Sequence, residues 1–187
     1  MRIMLDPGHG GNDPGAISES NIHEADVNLD VALQMAGHLA SNLSHLCRLT
    51  RYDDTFIALG ERCRIANDWG ADVFVSIHCN SFTDPAAEGF EVYTNRELDA
   101  ADFLASVMWN GFRQAFPLMR GRVDLSDGDP DKEAGFVVLV GTRMPAVLFE
   151  LGFLSNKMDE ARIASFEWRA KAAKVLVDAI REWSLLQ

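Results

Sequence analysis

Four residues combine side chains and positions suited to joint chemistry: His9, Glu24, His78 and Glu150. His9 follows a short apolar run and lies in a glycine-rich turn, "DPGHGGNDPG". His78 falls near the end of "DVFVSIHCNS", Glu150 near the end of "AVLFEL", and Glu24 opens an amphipathic segment. Two imidazoles and one carboxylate, with a position left to water, can hold a catalytic zinc ion. A further carboxyl can then serve as general base. The same residues also have a local reading. His9 could bond within its turn, His78 could be a core histidine, and Glu24 could be a first-turn acid favoured by the helix dipole. No HExxH is present, so spacing alone leaves both readings open.

These residues meet only if the elements that carry them bring them together. Short apolar runs predict strands over Arg2–Leu5, Leu46–Arg51, Asp72–Cys79, Gly89–Thr94 and Ala146–Leu151, with Phe136–Val140 either strand or helical turn. Helical spacing covers Glu24–Leu43, Ala58–Trp69, Glu97–Phe116 and Ala161–Leu185, the last broken near Phe166. Alternation of this kind predicts a mostly parallel sheet with helices on both faces. In open α/β sheets ligands bind beyond the carboxyl ends of the strands, where all four residues fall. Alternation along the strand puts Ser76, His78 and Asn80 on one face and turns Cys79 away. Glu24 continues the stripe of Val27, Val31, Met35 and Leu39, whereas His23 lies about 100° around the helix. Residues 120–134, "RGRVDLSDGDPDKEA", read as a solvated polar loop. Its acidic run lacks the regular oxygen-ligand spacing of a calcium loop.

Composition narrows the function classes. A chain of 187 residues with 48% hydrophobic and 24% charged residues is that of a globular protein, read here as one domain over 1–187. No apolar run reaches the roughly 18 residues of a membrane span. Net charge is −11, so the basic footprint of a nucleic-acid binder is missing. An acidic chain is also repelled by anionic membrane or wall polymers. Cys47, Cys63 and Cys79 form no CxxC pair and read as reduced thiols. "GHGGNDPG" lacks the third glycine of a nucleotide loop, and no GK[ST] follows. His38 and His45 sit among polar residues and read as solvated. "MRIML" runs straight into Asp6-Pro7-Gly8, leaving no room for a signal peptide.

Taken in order, "LDPGHGGNDPGA", "EADVNLDVA", "LTRYDD", "ERCRIAN", "DVFVSIHCNS" and "PAVLFELGFLSN" resemble the zinc-dependent N-acetylmuramoyl-L-alanine amidases, amidase type 3. The resemblance runs from Met1 to about Trp183 and implies a three-layer α/β/α fold with a six-stranded, mostly parallel central sheet, like that of zinc exopeptidases. It implies one Zn²⁺ per chain held by His9, Glu24 and His78, with Glu150 as the catalytic carboxylate. Asn80 and Arg62 match motif positions and are assigned supporting roles at the substrate. The implied reaction cleaves the amide between N-acetylmuramic acid and L-alanine of peptidoglycan. Many periplasmic members carry an inserted helix that covers the zinc until an activator displaces it. Only one helix and a polar loop fit between Thr94 and Phe136, so a monomer that needs no activator protein is expected. No nucleic-acid partner and no membrane insertion are expected. A compact chain without a leader resembles a phage endolysin, made in the host cytoplasm and released to act at the wall. The rival readings are a zinc peptidase of similar fold acting on free wall peptides, and a wall-binding module without catalysis.

Overall fold

Ile3, Met4 and Leu5 are all fully buried although consecutive, so both faces of the first strand are covered. In the computed structural model, which describes residues 1–40, 45–95, 100–126 and 128–186, that strand lies inside a six-stranded sheet. The elements in chain order are β1 (Arg2–Pro7), α1 (Glu24–Ala40), β2 (Leu46–Leu49), α2 (Leu59–Trp69), β3 (Val73–Asn80), β4 (Glu91–Thr94), α3 (Ala100–Ala115), β5 (Lys132–Glu133), α4 (Val137–Val140), β6 (Ala146–Phe153), α5 (Lys157–Ala164) and α6 (Phe166–Ser184). The sheet order is β2-β1-β3-β6-β4-β5. The one antiparallel neighbour pair among these strands is β4 with β6. The expected mostly parallel α/β architecture is therefore the observed one.

Each face of the sheet has its own core. Ile3, Leu5, Val75 and Ile77 pack under α1, α3 and α6. Met4, Phe74 and Leu148 point the other way, toward the shorter α2 and α4. The stripe read from the sequence on α1 is buried as expected: Val27 is 3% exposed, and Val31, Met35 and Leu39 are 0%. Gly70 ends α2 in a left-handed conformation at φ 67°. The break expected near Phe166 is at Ser165, whose side chain accepts from the Trp168 amide at 3.2 Å and starts α6 anew.

Of the two readings open for Phe136–Val140, the helical turn is the one observed, as α4. Two expectations are corrected. The sixth strand arises inside the segment read as a solvated loop. That segment is tied down at several points. Gly121 bridges to Phe90, and Thr94 Oγ1 donates to Asp131 Oδ2 at 2.6 Å, with Asp131 wholly buried. The last strand runs two residues further than its apolar run, to Phe153, across a register shift between His78 and Asn80 on β3. Residues 41–43 of the first expected helix and 97–99 of the third lie outside the described residues.

Candidate active site

The turn that carries His9 is built on two buried arginines. Asp6, fully buried at the end of β1, accepts from Thr50 Oγ1 at 2.6 Å, Ser76 Oγ at 2.7 Å and Arg62 Nη1 at 2.8 Å. Arg62 also donates to the carbonyls of Pro7 and His9, each at 2.7 Å. Arg51 donates to the carbonyls of Pro7 at 2.9 Å and Gly8 at 2.8 Å. Three consecutive carbonyls are thus fixed by charge-assisted bonds, among the stronger hydrogen bonds a protein makes. That scaffold holds His9 at φ 60°, a conformation unusual for a residue with a Cβ.

On this scaffold two imidazoles meet one carboxylate oxygen. Glu24 Oε1 lies 3.1 Å from His9 Nε2 and 2.8 Å from His78 Nδ1. The Glu24 carboxylate also accepts from the Cys79 amide at 3.1 Å on Oε1 and the Ala16 amide at 2.9 Å on Oε2. Asp13 Oδ2 lies 2.9 Å from His9 Nδ1, on the side of the ring away from Glu24. Burial alone would raise the Glu24 pKa, but the bonds from His78 and His9 outweigh it and hold the carboxyl well below the usual range. Burial would lower the His9 pKa, and Glu24 and Asp13 together raise it instead. Gly8 makes the close approach possible, because a Cβ there would sit 2.2 Å from the His78 ring. A cleft of about 310 Å³ opens beside His9 and His78, walled by Phe56, Ile57 and Leu59.

Glu150 belongs to the same edge. It is the register partner of His78 on the neighbouring strand, and both face the α2 side of the sheet. Its Oε2 is buried without a hydrogen-bond partner among the described residues. Burial, then repulsion from Glu24 and Glu91, raise its pKa well above the usual carboxylate range. The strand alternation also turns Cys79 into the opposite core, where burial keeps its thiol protonated.

Two further assignments fare differently. Asn80 lies at the end of β3 and donates to Glu91 Oε2 at 3.2 Å. Arg62, expected in a supporting role at the substrate, is 2% exposed. Its guanidinium is fully engaged with Asp6 and with the carbonyls of Pro7, His9 and Ile57. Those bonds position the His9 turn from beneath, and Arg62 also lines the cleft beside His9 and His78. Sequence reasoning missed Asp13, Arg51 and Glu91. Asp13 was signalled by its place four residues after His9, within the same loop. Glu91 carried a weaker signal, a lone acid in the apolar run "GFEVYT".

Two imidazole nitrogens and a carboxylate, gathered at the carboxyl edge of a mostly parallel sheet with a separate carboxyl beside them, form a group that could hold a metal ion in an α/β fold. The family described as N-acetylmuramoyl-L-alanine amidase matches residues 3–182, and the chain belongs to that family. It is 34% identical to the N-acetylmuramoyl-L-alanine amidase AmiC of Neisseria meningitidis serogroup B, over 97% of this chain and 52% of that protein. The chain thus spans about half the length of that relative. Their alignment runs over 218 positions, more than the 187 residues here, so AmiC carries inserted segments that this chain lacks. Among solved structures, it superimposes on an N-acetylmuramoyl-L-alanine amidase from Clostridium difficile 630 with a TM-score of 0.90. Identity there is 32%, over 98% of this chain and 96% of that one. The catalytic domain of CwlV from Bacillus (Paenibacillus) polymyxa gives a TM-score of 0.87 at 34% identity, covering 100% of this chain and 99% of that one.

Proposed function

We propose that the chain is a single catalytic unit, a zinc amidase that hydrolyses the amide between the lactyl group of N-acetylmuramic acid and L-alanine in peptidoglycan. The observation that carries the reading is the convergence of His9 Nε2 and His78 Nδ1 on one oxygen of Glu24, 3.1 and 2.8 Å away. The donor set fits zinc: two imidazoles and one carboxylate, with Asp13 bonded behind His9 as carboxylates commonly are behind a zinc-bound histidine. Zinc bound there would supply Lewis acidity toward the scissile carbonyl and lower the pKa of water to about 7.

The remaining work falls to the chain itself. Among the described residues no hydrogen bond fixes Glu150 Oε2, and its proton affinity is raised. A carboxyl of that kind takes a proton from the attacking water and returns it to the leaving amine. Asp13 holds Nδ1 of His9, so that Nε2 faces Glu24. Phe56, Ile57 and Leu59 offer an apolar wall beside which a sugar ring fits. No activator is needed in this reading. Among the described residues between Thr94 and Phe136 the one helix is α3, and it packs with α6 against the face away from the cleft.

Digestion of purified peptidoglycan tests the function. New amino ends should be those of L-alanine, with intact glycan strands left behind. New ends at any later residue of the peptide would make the protein a peptidase, and binding without new ends would make it a wall-binding module.

A further inference from the structure

A second polar group lies one strand beyond Glu150, and the proposed chemistry does not use it. Glu91 opens β4 as the register partner of Glu150, which in turn is the register partner of His78. The three form a row across adjacent strands, each step about 4.8 Å. Glu91 is 2% exposed. Its Oε1 is met by Arg122 Nε and, at 3.0 Å, by Lys132 Nζ, and its Oε2 by Tyr93 and Asn80. The Arg122 guanidinium lies 5.2 Å from the centre of the Phe153 ring, and Lys132 Nζ lies 5.8 Å from that of Tyr93. These side chains line a cleft of about 220 Å³.

The charge of this cleft has a definite sign. Two cations surround one carboxylate, and the carboxylate is the buried member. The side chains of Arg122 and Lys132 are 31% and 23% exposed, so the surface offered to a ligand is cationic, in a chain whose net charge is −11. Glu91 and the two rings fix both cations in place before any ligand arrives, which lowers the ordering cost of binding. Arg122 meets Glu91 through Nε, and the terminal NH₂ groups of its fork are the part suited to a carboxylate.

We propose that this cleft is a subsite for a free carboxylate of the stem peptide, on the leaving-amine side of the scissile bond. The inference rests on the amidase reading and adds a specificity determinant to it. Once the lactyl group is tied up as an amide, the glycan carries no carboxylate, so an anion near Glu150 must come from the peptide. The apolar wall of Phe56, Ile57 and Leu59 is the cleft left for the sugar.

Calorimetric titration of the zinc-loaded protein with two product dipeptides, both with the γ-carboxyl blocked as a methylamide, tests it: L-alanyl-D-glutamate with a free α-carboxylate, and its α-amide. The free acid should bind about tenfold or more tightly, the order expected for a charge-assisted contact. Lys132→Gln and Arg122→Gln should each remove most of that preference, while Lys132→Arg should keep it and show that the fold is intact. On the matching muramyl dipeptides, kcat/KM should fall in the Gln variants for the acid and stay level for the amide. Equal binding of the two dipeptides, or an equal loss on both, would overturn the subsite. Discrimination in binding without cleavage of either muramyl peptide would leave the subsite standing and remove the amidase reading.

Discussion

Asp13 and His9 are joined through the ring nitrogen that faces away from Glu24, with Oδ2 2.9 Å from Nδ1. The contact fixes the imidazole so that Nε2 points at the shared carboxylate oxygen. Asp13→Ala leaves His9 in place but free to rotate. Zinc affinity should fall about 10- to 100-fold, read by competition with a chromophoric chelator. Unchanged affinity would mean that the turn alone orients the ring.

Gly8 tests the approach of the turn to His78. A Cβ at that position would lie 2.2 Å from His78 Cε1 and 2.4 Å from Nε2, so Gly8→Ala must push the ring aside or strain the turn. Activity and metal content should drop together, with a stability loss of about 1–3 kcal/mol from overpacking. A variant with normal zinc and normal turnover would show that His78 has room to retreat without leaving the site.

Much of this site was legible in the sequence because its parts lie at ends of apolar runs. His9, His78 and Glu150 each end or follow a buried strand, and period-two alternation separated His78 from Cys79. The supporting residues were not legible in the same way. Arg62 looks the same in a sequence whether it faces a substrate or a carbonyl, and only its bonds to Asp6, Pro7 and His9 assign it. The two-residue strand β5 has no apolar pattern of its own. Its pairing with β4, and the buried Asp131 bonded to Thr94, are tertiary facts that a run of Asp, Gly, Pro and Lys conceals.

Asp131 makes that anchoring measurable through pH. Burial, with Asp129 beside it, pushes its carboxyl from the usual 3.8 up to about 8. A folded-state pKa above the unfolded one favours the fold while the group is protonated. The contribution is complete below the unfolded value and is lost as pH rises through 8, with a slope of at most about 1.4 kcal/mol per pH unit. Urea midpoints should therefore fall more between pH 5 and 9 for the parent protein than for Asp131→Asn, which has nothing to ionise there. Parallel pH profiles would place that carboxyl outside the buried cluster.

The proposal that no activator is needed rests on where α3 lies. Its buried residues Leu104, Met108 and Phe112 belong to the core shared with α6, on the face opposite α2 and α4. The purified protein should release L-alanine-ended peptides with no second protein present, at a rate that added relatives of known activators do not change. A protein inert until such a partner is supplied would show that some other segment closes the cleft.

The division of labour between the three donors and Glu150 is the central claim, and Glu150→Gln tests it most directly when zinc content and turnover are measured on the same sample. Glutamine keeps the shape of the side chain and cannot accept the proton. The variant should hold one zinc per chain, keep its fold, and lose on the order of 10²–10⁴ in rate. Loss of the zinc would make Glu150 a fourth ligand and the site closed and structural, and near-normal turnover would remove Glu150 from the chemistry.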